Sequence, residues 1–298
     1  MGQAGDVALR QAQDVALTNS SVIPPTRRRH RRPLPVGAWL LRLVTLFVYA
    51  FLYLPIVVLV VMSFHPEHIM TFPLPSWSLR WYGEFLQDEL LIRALLNSLL
   101  LGAVTAALSA VIGTPCAIGL VRFDFPGKRL VNSFVLAPMI IPNVIMAIGL
   151  LILLNIVNIP RGYPYLIIGH VMFGLPYVVL TVSSQLYGFP RELEEAALNL
   201  GANELRTFFE VTLPLIAPSI MAGSLFAFTI SFQEYVASQL WASPSNYTLP
   251  IRIYSRLRDA VSPELNVVGV LTLALAIGVV AILKILSRRS EGGGFYGL

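Results

Sequence analysis

At 298 residues, 56% hydrophobic and only 12% charged, the chain is too apolar to hide its surface in a soluble core of ordinary size. Several separate apolar runs of about 20 residues, each long enough to cross a hydrocarbon layer of about 30 Å, mark a polytopic membrane protein. The net charge of +5 needs no nucleic acid, because cytoplasmic loops of membrane proteins collect Lys and Arg; the single Cys116 excludes an intrachain disulfide and a cysteine metal cluster.

Residues 1–36 are largely polar and lack periodic large apolar residues, so they read as a disordered cytoplasmic extension and not as a signal peptide. The run Arg27, Arg28, Arg29, His30, Arg31, Arg32 directly precedes the first apolar stretch. It fits a topology anchor on anionic lipid, with nucleic-acid binding as the competing reading. Six apolar segments follow, at about 37–63, 94–121, 131–156, 164–185, 215–241 and 265–286. They predict one all-α membrane domain over 37–286 with about six transmembrane helices, then a cytoplasmic tail at 287–298. A charged turn from Arg122 to Arg129 separates the second and third spans, and a Pro/Gly loop from Asn158 to Pro164 the third and fourth. With both termini in the cytoplasm, more than twice as many Lys and Arg fall inside as outside, which favours that orientation. Trp77, Trp81 and Tyr82 then lie in the first outer loop and Trp241 at the outer end of the fifth span, where interfacial placement and loop packing both suit them. The outer loops 64–93 and 242–264 carry Glu67, Glu84, Asp88, Glu89, Asp259 and Glu264, available for docking a soluble protein or for simple solvation.

The longest cytoplasmic loop, about 186–214, joins the fourth and fifth spans. Pro190 followed by Glu192, Glu194 and Glu195 marks a helix N-terminus, where acids complement the macrodipole. Leu193, Ala196, Ala197 and Leu200 sit at helical spacing on one face, and Gly201 is a stop signal because only glycine enters the left-handed region without penalty. A second short helix is expected from about Asn203 to Val211, ending before Pro214. Asn203, Arg206 and Glu210 give it a polar side; Leu205, Phe208 and Phe209 give it an apolar one. The loop is thus a helix–turn–helix that either rests on lipid or docks a soluble partner.

The spacing Glu195-Ala196-Ala197, Gly201, Val211, Leu213-Pro214 resembles the EAA signature of ABC importer permeases, departing only at Val211, where that family usually has Ile. Its place between the fourth and fifth spans of a termini-in subunit matches as well. The resemblance implies the type I importer permease architecture, in which this loop is a coupling helix seated in a groove on a separate ATPase subunit. Glu195, Ala196 and Gly201 would form that contact, the alanine allowing close approach and Glu195 offering a charge-assisted hydrogen bond. The same resemblance implies two ATPase subunits, a second permease chain completing the pathway, an extracytoplasmic solute-binding protein and a multi-pass place in the bacterial inner membrane. Ala222, Gly223 and Ser224 would allow close helix approach between permease chains. ATP is used by the partner ATPase, and no cofactor or catalytic residue is expected of this chain.

Beyond residue 37 the chain also resembles the spermidine/putrescine branch of these permeases. The strings concerned are Thr248 to Ser255, Val261 to Asn266, Tyr53 to Ile56 and Phe123 to Lys128. The resemblance implies a polyamine solute; permeases for amino-acid-like solutes, opines or phosphonates share such strings and stay as alternatives. Glu234, beside Gln233, lies roughly 28 Å along the fifth span at about 1.5 Å per residue, and a carboxylate there marks a pathway or a pairing partner. The polyamine branch usually carries paired carboxylates in this stretch, and Gln233 stands in place of one. Phe228, Phe232 and Tyr235 fall on one helix face, suited either to cation–π contact with an ammonium group or to ordinary packing. His170 reads as a packing residue of the fourth span.

Gly127-Lys128 has neither the Gly six residues before the Lys nor the Ser/Thr after it, so the chain is not its own ATPase. There is no His-Glu-x-x-His pair and no Gly-x-Ser-x-Gly elbow, which removes support for a membrane protease or lipase, and no metal site is expected. A self-sufficient secondary transporter would need its coupling-ion site within one chain, commonly with inverted repeats, and none is evident.

Overall fold

A computed structural model describes residues 35–69, 71–259 and 263–291, and among these every regular element is helical. The expected disordered extension, 1–36, lies outside the described residues apart from its last two, with which the first helix begins; of the tail at 287–298, residues 292–298 lie outside. The chain divides into two units, Met1–Pro55 and Ile56–Leu298. The described part of the first is the leading portion of α1 (Pro35–Met62), whose apolar side chains from Trp39 to Tyr53 are exposed.

Within the second unit, α2 (Arg80–Gln87) precedes α3 (Glu89–Arg122), then α4 (Lys128–Ile140), α5 (Asn143–Ile156) and α6 (Tyr163–Tyr187). After α7 (Glu192–Asn199) and the single turn α8 (Glu204–Thr207) come α9 (Leu213–Gln233), α10 (Val236–Trp241), α11 (Leu249–Asp259) and α12 (Pro263–Glu291). Among the described residues four helical stretches are long and apolar enough to cross a membrane, and the pair α4 and α5, bent by 114°, makes a fifth if counted as one span. The sixth expected span is α12, whose described apolar part, Pro263–Gly278, is shorter.

The bend in the third span was not foreseen, yet its cause is local. Pro142 has no N–H to give the carbonyl of Pro138, and it pushes Ile141 out of the helical region to φ −80°, ψ 132°. The fifth span is likewise broken, at Glu234, where ψ is 115°.

A second departure concerns the loop. The helix expected to end before Pro214 instead runs through it: α8 passes into a π-helical turn, Phe208–Thr212, and on into α9. Pro214 directly follows that wider turn, in which Leu213 N–H reaches back five residues to Phe208 O.

The core of this unit is α3, α6 and α9, which pack through small residues. A Cβ on Gly174 would press on Ala227, Ser109 and Thr105, and one on Gly223 would press on Thr181 and Val178. Gly223 is therefore used against α6 of its own chain. One end of the bundle is closed by a cluster of Trp81, Phe85, Leu91, Phe232, Leu249 and Val267. Trp81 is buried there, its indole N–H donating to His65 O at 2.7 Å, so loop packing claims it. Arg256 on α11 binds both Asp88, before α3, and Glu264 on α12.

Candidate functional site

The 186–214 loop is built by ordinary capping. Acids fill the first turn of α7, as its macrodipole favours. At its other end Gly201 adopts φ +90° and Ala202 N–H returns to Ala197 O at 3.1 Å, which turns the chain sharply. Asn203 then caps α8, its Oδ1 accepting from Arg206 N–H at 2.8 Å. Arg206 pairs with Glu210 one turn on, an exposed pair of small energetic weight.

The motif residues divide by direction. Glu195, Ala196, Gly201 and Pro214 are exposed, whereas Ala197, Val211 and Leu213 are half-buried and Leu213 packs against the α3–α6–α9 core. Around the exposed set stand large uncovered apolar side chains, with Leu200 90% and Leu205 71% exposed. Such a knob has a surface that a partner protein or lipid would cover.

Glu194 behaves differently from its neighbours. Its side chain is 15% exposed and accepts from Arg122 Nη1 at 2.6 Å and from the Thr212 hydroxyl. Burial pushes its carboxyl up, but the bonds from Arg122 and Thr212 and the charges of Arg122 and Arg191 outweigh that and hold it below the usual carboxylate range. Arg122, the last residue of α3, also lies over the Phe189 ring at 5.5 Å.

The break in the fifth span separates the residues expected to line a pathway. Glu234 is only 8% exposed, and both its oxygens are used: one accepts from Asn143 Nδ2 at 2.8 Å, the other from Ala237 N–H at 2.9 Å. It caps α10 and joins the break in the fifth span to the break in the third. His170 spans the same break, 2.7 Å from the Ser231 hydroxyl before it and 2.9 Å from the Ser238 hydroxyl after it.

Gln233, Phe232 and Tyr235 meet elsewhere, around an open cleft of about 340 Å³ lined also by Leu249, Ile253 and Tyr254. Phe228 and Phe232 stack at 5.8 Å, but α9 ends before Tyr235, whose ring instead stacks on Tyr254 at 4.2 Å. The expected three-ring stripe is therefore a pair, and the third ring belongs to a second pair. Among the described residues no group of three or more acids, histidines or cysteines is placed to hold a metal ion.

With that geometry in hand, known proteins give a consistent match. The model of the family described as the binding-protein-dependent transport system inner membrane component matches residues 109–291. The chain belongs to this family. It is 35% identical over 245 residues to the spermidine/putrescine transport system permease protein PotC of Haemophilus influenzae, covering 82% of this chain and 95% of that relative. It is 37% identical over 267 residues to the putrescine transport system permease protein PotI of Escherichia coli K12, covering 87% and 94%. Among solved structures, a bacterial alginate ABC transporter in complex with alginate pentasaccharide-bound periplasmic protein superposes with a TM-score of 0.65 at 21% identity, covering 87% and 96%. That likeness is one of fold. The chain is a transport permease and not an enzyme.

In this permease the residues missed by sequence reading are Arg122, Thr212, Asn143 and Arg256. Three of them bond across a long stretch of chain, 72 positions from Arg122 to Glu194, 91 from Asn143 to Glu234 and 168 from Arg256 to Asp88, and local pattern carries no signal for that; Thr212 meets Glu194 over 18 positions, through the turn between α7 and α8.

Proposed function

We propose that this permease is one half of the translocation pathway of an ATP-driven importer for polyamines, spermidine and putrescine. A second permease chain completes the pathway, two ATPase subunits dock on the exposed loops, and an extracytoplasmic binding protein delivers the solute. The chain is a multi-pass protein of the bacterial inner membrane with both termini cytoplasmic, organised as one six-span domain with the coupling loop at 186–214. The carrying observation is the exposed helix–turn–helix that presents Glu195, Ala196 and Gly201 amid uncovered leucines, in a chain 35% identical to a spermidine/putrescine permease over nearly all of that relative.

The Gln233–Tyr235–Tyr254 cleft suits a chain of methylenes ending in an ammonium group, since aromatic faces attract cations and the rest of its lining is mostly apolar. A different small solute is the second reading, favoured by the amide at Gln233 and by the use of Glu234 in capping, which leave no free carboxylate at this point for a second ammonium. Uptake of labelled spermidine and putrescine separates the two. Cells lacking this chain should lose uptake, regain it with the wild type, and stay deficient with Gly201→Val, which forces a β-branched residue to φ +90°. Unchanged polyamine uptake on deletion, with an ATPase still co-purifying, would leave an importer of another solute.

A further inference from the structure

The first turn of α7 holds Glu192, Glu194 and Glu195, and only Glu194 turns towards the membrane helices. Its two oxygens contact two separate elements: Oε2 accepts from Arg122 at the end of α3, and Oε1 from Thr212, the last residue of the π-helical turn before α9. Thr212 is 2% exposed, and Phe189, just ahead of α7, lies under the Arg122 guanidinium. One carboxylate thus ties α7 to two of the three core helices, α3 and α9.

The other ion pairs of this region, Lys128 with Asp124 and Arg206 with Glu210, each join residues four apart and fix nothing beyond their own turn. The setting explains why a tie is needed. A π-helical turn carries one residue more than the α-helix on either side, and its wider ring is a natural point of flexure. Beside it lies an open cleft of about 450 Å³ whose wall includes Arg122, Glu194 and Thr212 themselves together with Leu198, Leu205 and Phe208, and the buried Thr207 hydroxyl in that wall has no partner. Without a brace, a push on α7 would be taken up by bending at the turn and by collapse into this space.

The geometry points to Glu194 as the residue that transmits displacement of the coupling loop to α3 and α9, leaving the motif residue Glu195 free to meet the ATPase. Glu194 and Arg122 are positioning residues: they touch neither solute nor nucleotide. This rests on the reading of the loop as an ATPase dock.

The test uses the whole transporter in proteoliposomes, with labelled spermidine inside-uptake and ATP hydrolysis measured together, and hydrolysis measured with and without the binding protein. Glu194→Gln and Arg122→Gln should keep the ATPase bound and basal hydrolysis intact, while stimulation by the binding protein and solute moved per ATP fall roughly tenfold. The double variant should be no worse than either single one, as expected for partners in one interaction. Glu192→Gln, an exposed acid in the same turn, should match the wild type.

Wild-type coupling in Glu194→Gln, strictly additive losses in the double variant, or loss of the ATPase from the purified complex would each overturn the proposal, the last by assigning Glu194 to docking. Stimulation of hydrolysis does not depend on naming the solute. A wild type that is stimulated but imports no spermidine therefore overturns the polyamine reading and leaves the Glu194 comparison readable. A wild type that binds no ATPase overturns both.

Discussion

A Cβ built on Gly201 would meet nothing within 4 Å, so crowding within the chain does not explain why glycine is needed there. Its φ of +90° does: that backbone region costs an L-residue about 1–2 kcal/mol, least for Asn and most for a β-branched side chain. Transport should accordingly fall in the order Gly, Asn, Ala, Val in an uptake assay, with the loss mirrored in thermal stability. An equal and complete loss with all three would instead assign the position to close contact with a partner. Asp88 gives a second prediction at this scale. Burial pushes its carboxyl up, but Leu91 N–H and the Arg256 guanidinium outweigh that and hold it below the usual carboxylate range. A carboxyl depressed on folding stabilises above its unfolded value and loses that contribution as pH falls through the folded one. Asp88→Asn should therefore lower Tm by about 3 °C at neutral pH, and the gap from the wild type should persist to about pH 5 and close below about pH 4. A gap that closes already at pH 6 would mean the Arg256 bond is not its source.

Among the elements, α6 and α10 meet closely at a glycine. A Cβ on Gly169 would collide with the Trp241 ring, which is fully buried and held by its indole N–H on Ala147 O at 3.0 Å. Gly169→Ala should cost about 1–3 kcal/mol by overpacking, read as a fall in Tm of the solubilised protein. Gly149→Ala, where nothing lies within 4 Å, should leave Tm unchanged or raise it slightly. Equal responses would show that the ring relaxes freely. The helices themselves were legible in the sequence, because a span announces itself by an unbroken apolar run and a loop by its prolines, glycines and charges. The Gly201 turn and the acids opening α7 followed from capping rules and stand where those rules place them. The two broken spans were not legible. Pro142 signals a break, but an apolar run read as one length conceals it; and α9 stops at Glu234, where Asn143 and the N-terminus of α10 take up the carboxylate. Spacing on one helix placed Tyr235 beside Phe232, and spacing fails once the helix ends between them.

For the molecule as a whole, the distribution of charge and of apolar surface bears on orientation. Large apolar side chains stay exposed along α1, α3, α4 and α5, a surface that water does not tolerate and that lipid or a partner chain covers. The arginines and lysines cluster before α1, between α3 and α4 and near the end of α12, three places that lie on one side if each span crosses once. The positive-inside rule then supports the proposed orientation, with both termini and the 186–214 loop in the cytoplasm. The broken third span makes this a real question, since a re-entrant pair α4–α5 would return to the side it left and invert everything after it. Fusions decide between the two. A green fluorescent protein after Leu298 should fluoresce and alkaline phosphatase there should be inactive, while phosphatase inserted near Trp77 should be active. A second fluorescent fusion in the 158–162 loop should be dark. Fluorescence there would mean that α4 and α5 do not cross, and the loop that carries Glu195 and Gly201 would then face away from any source of ATP.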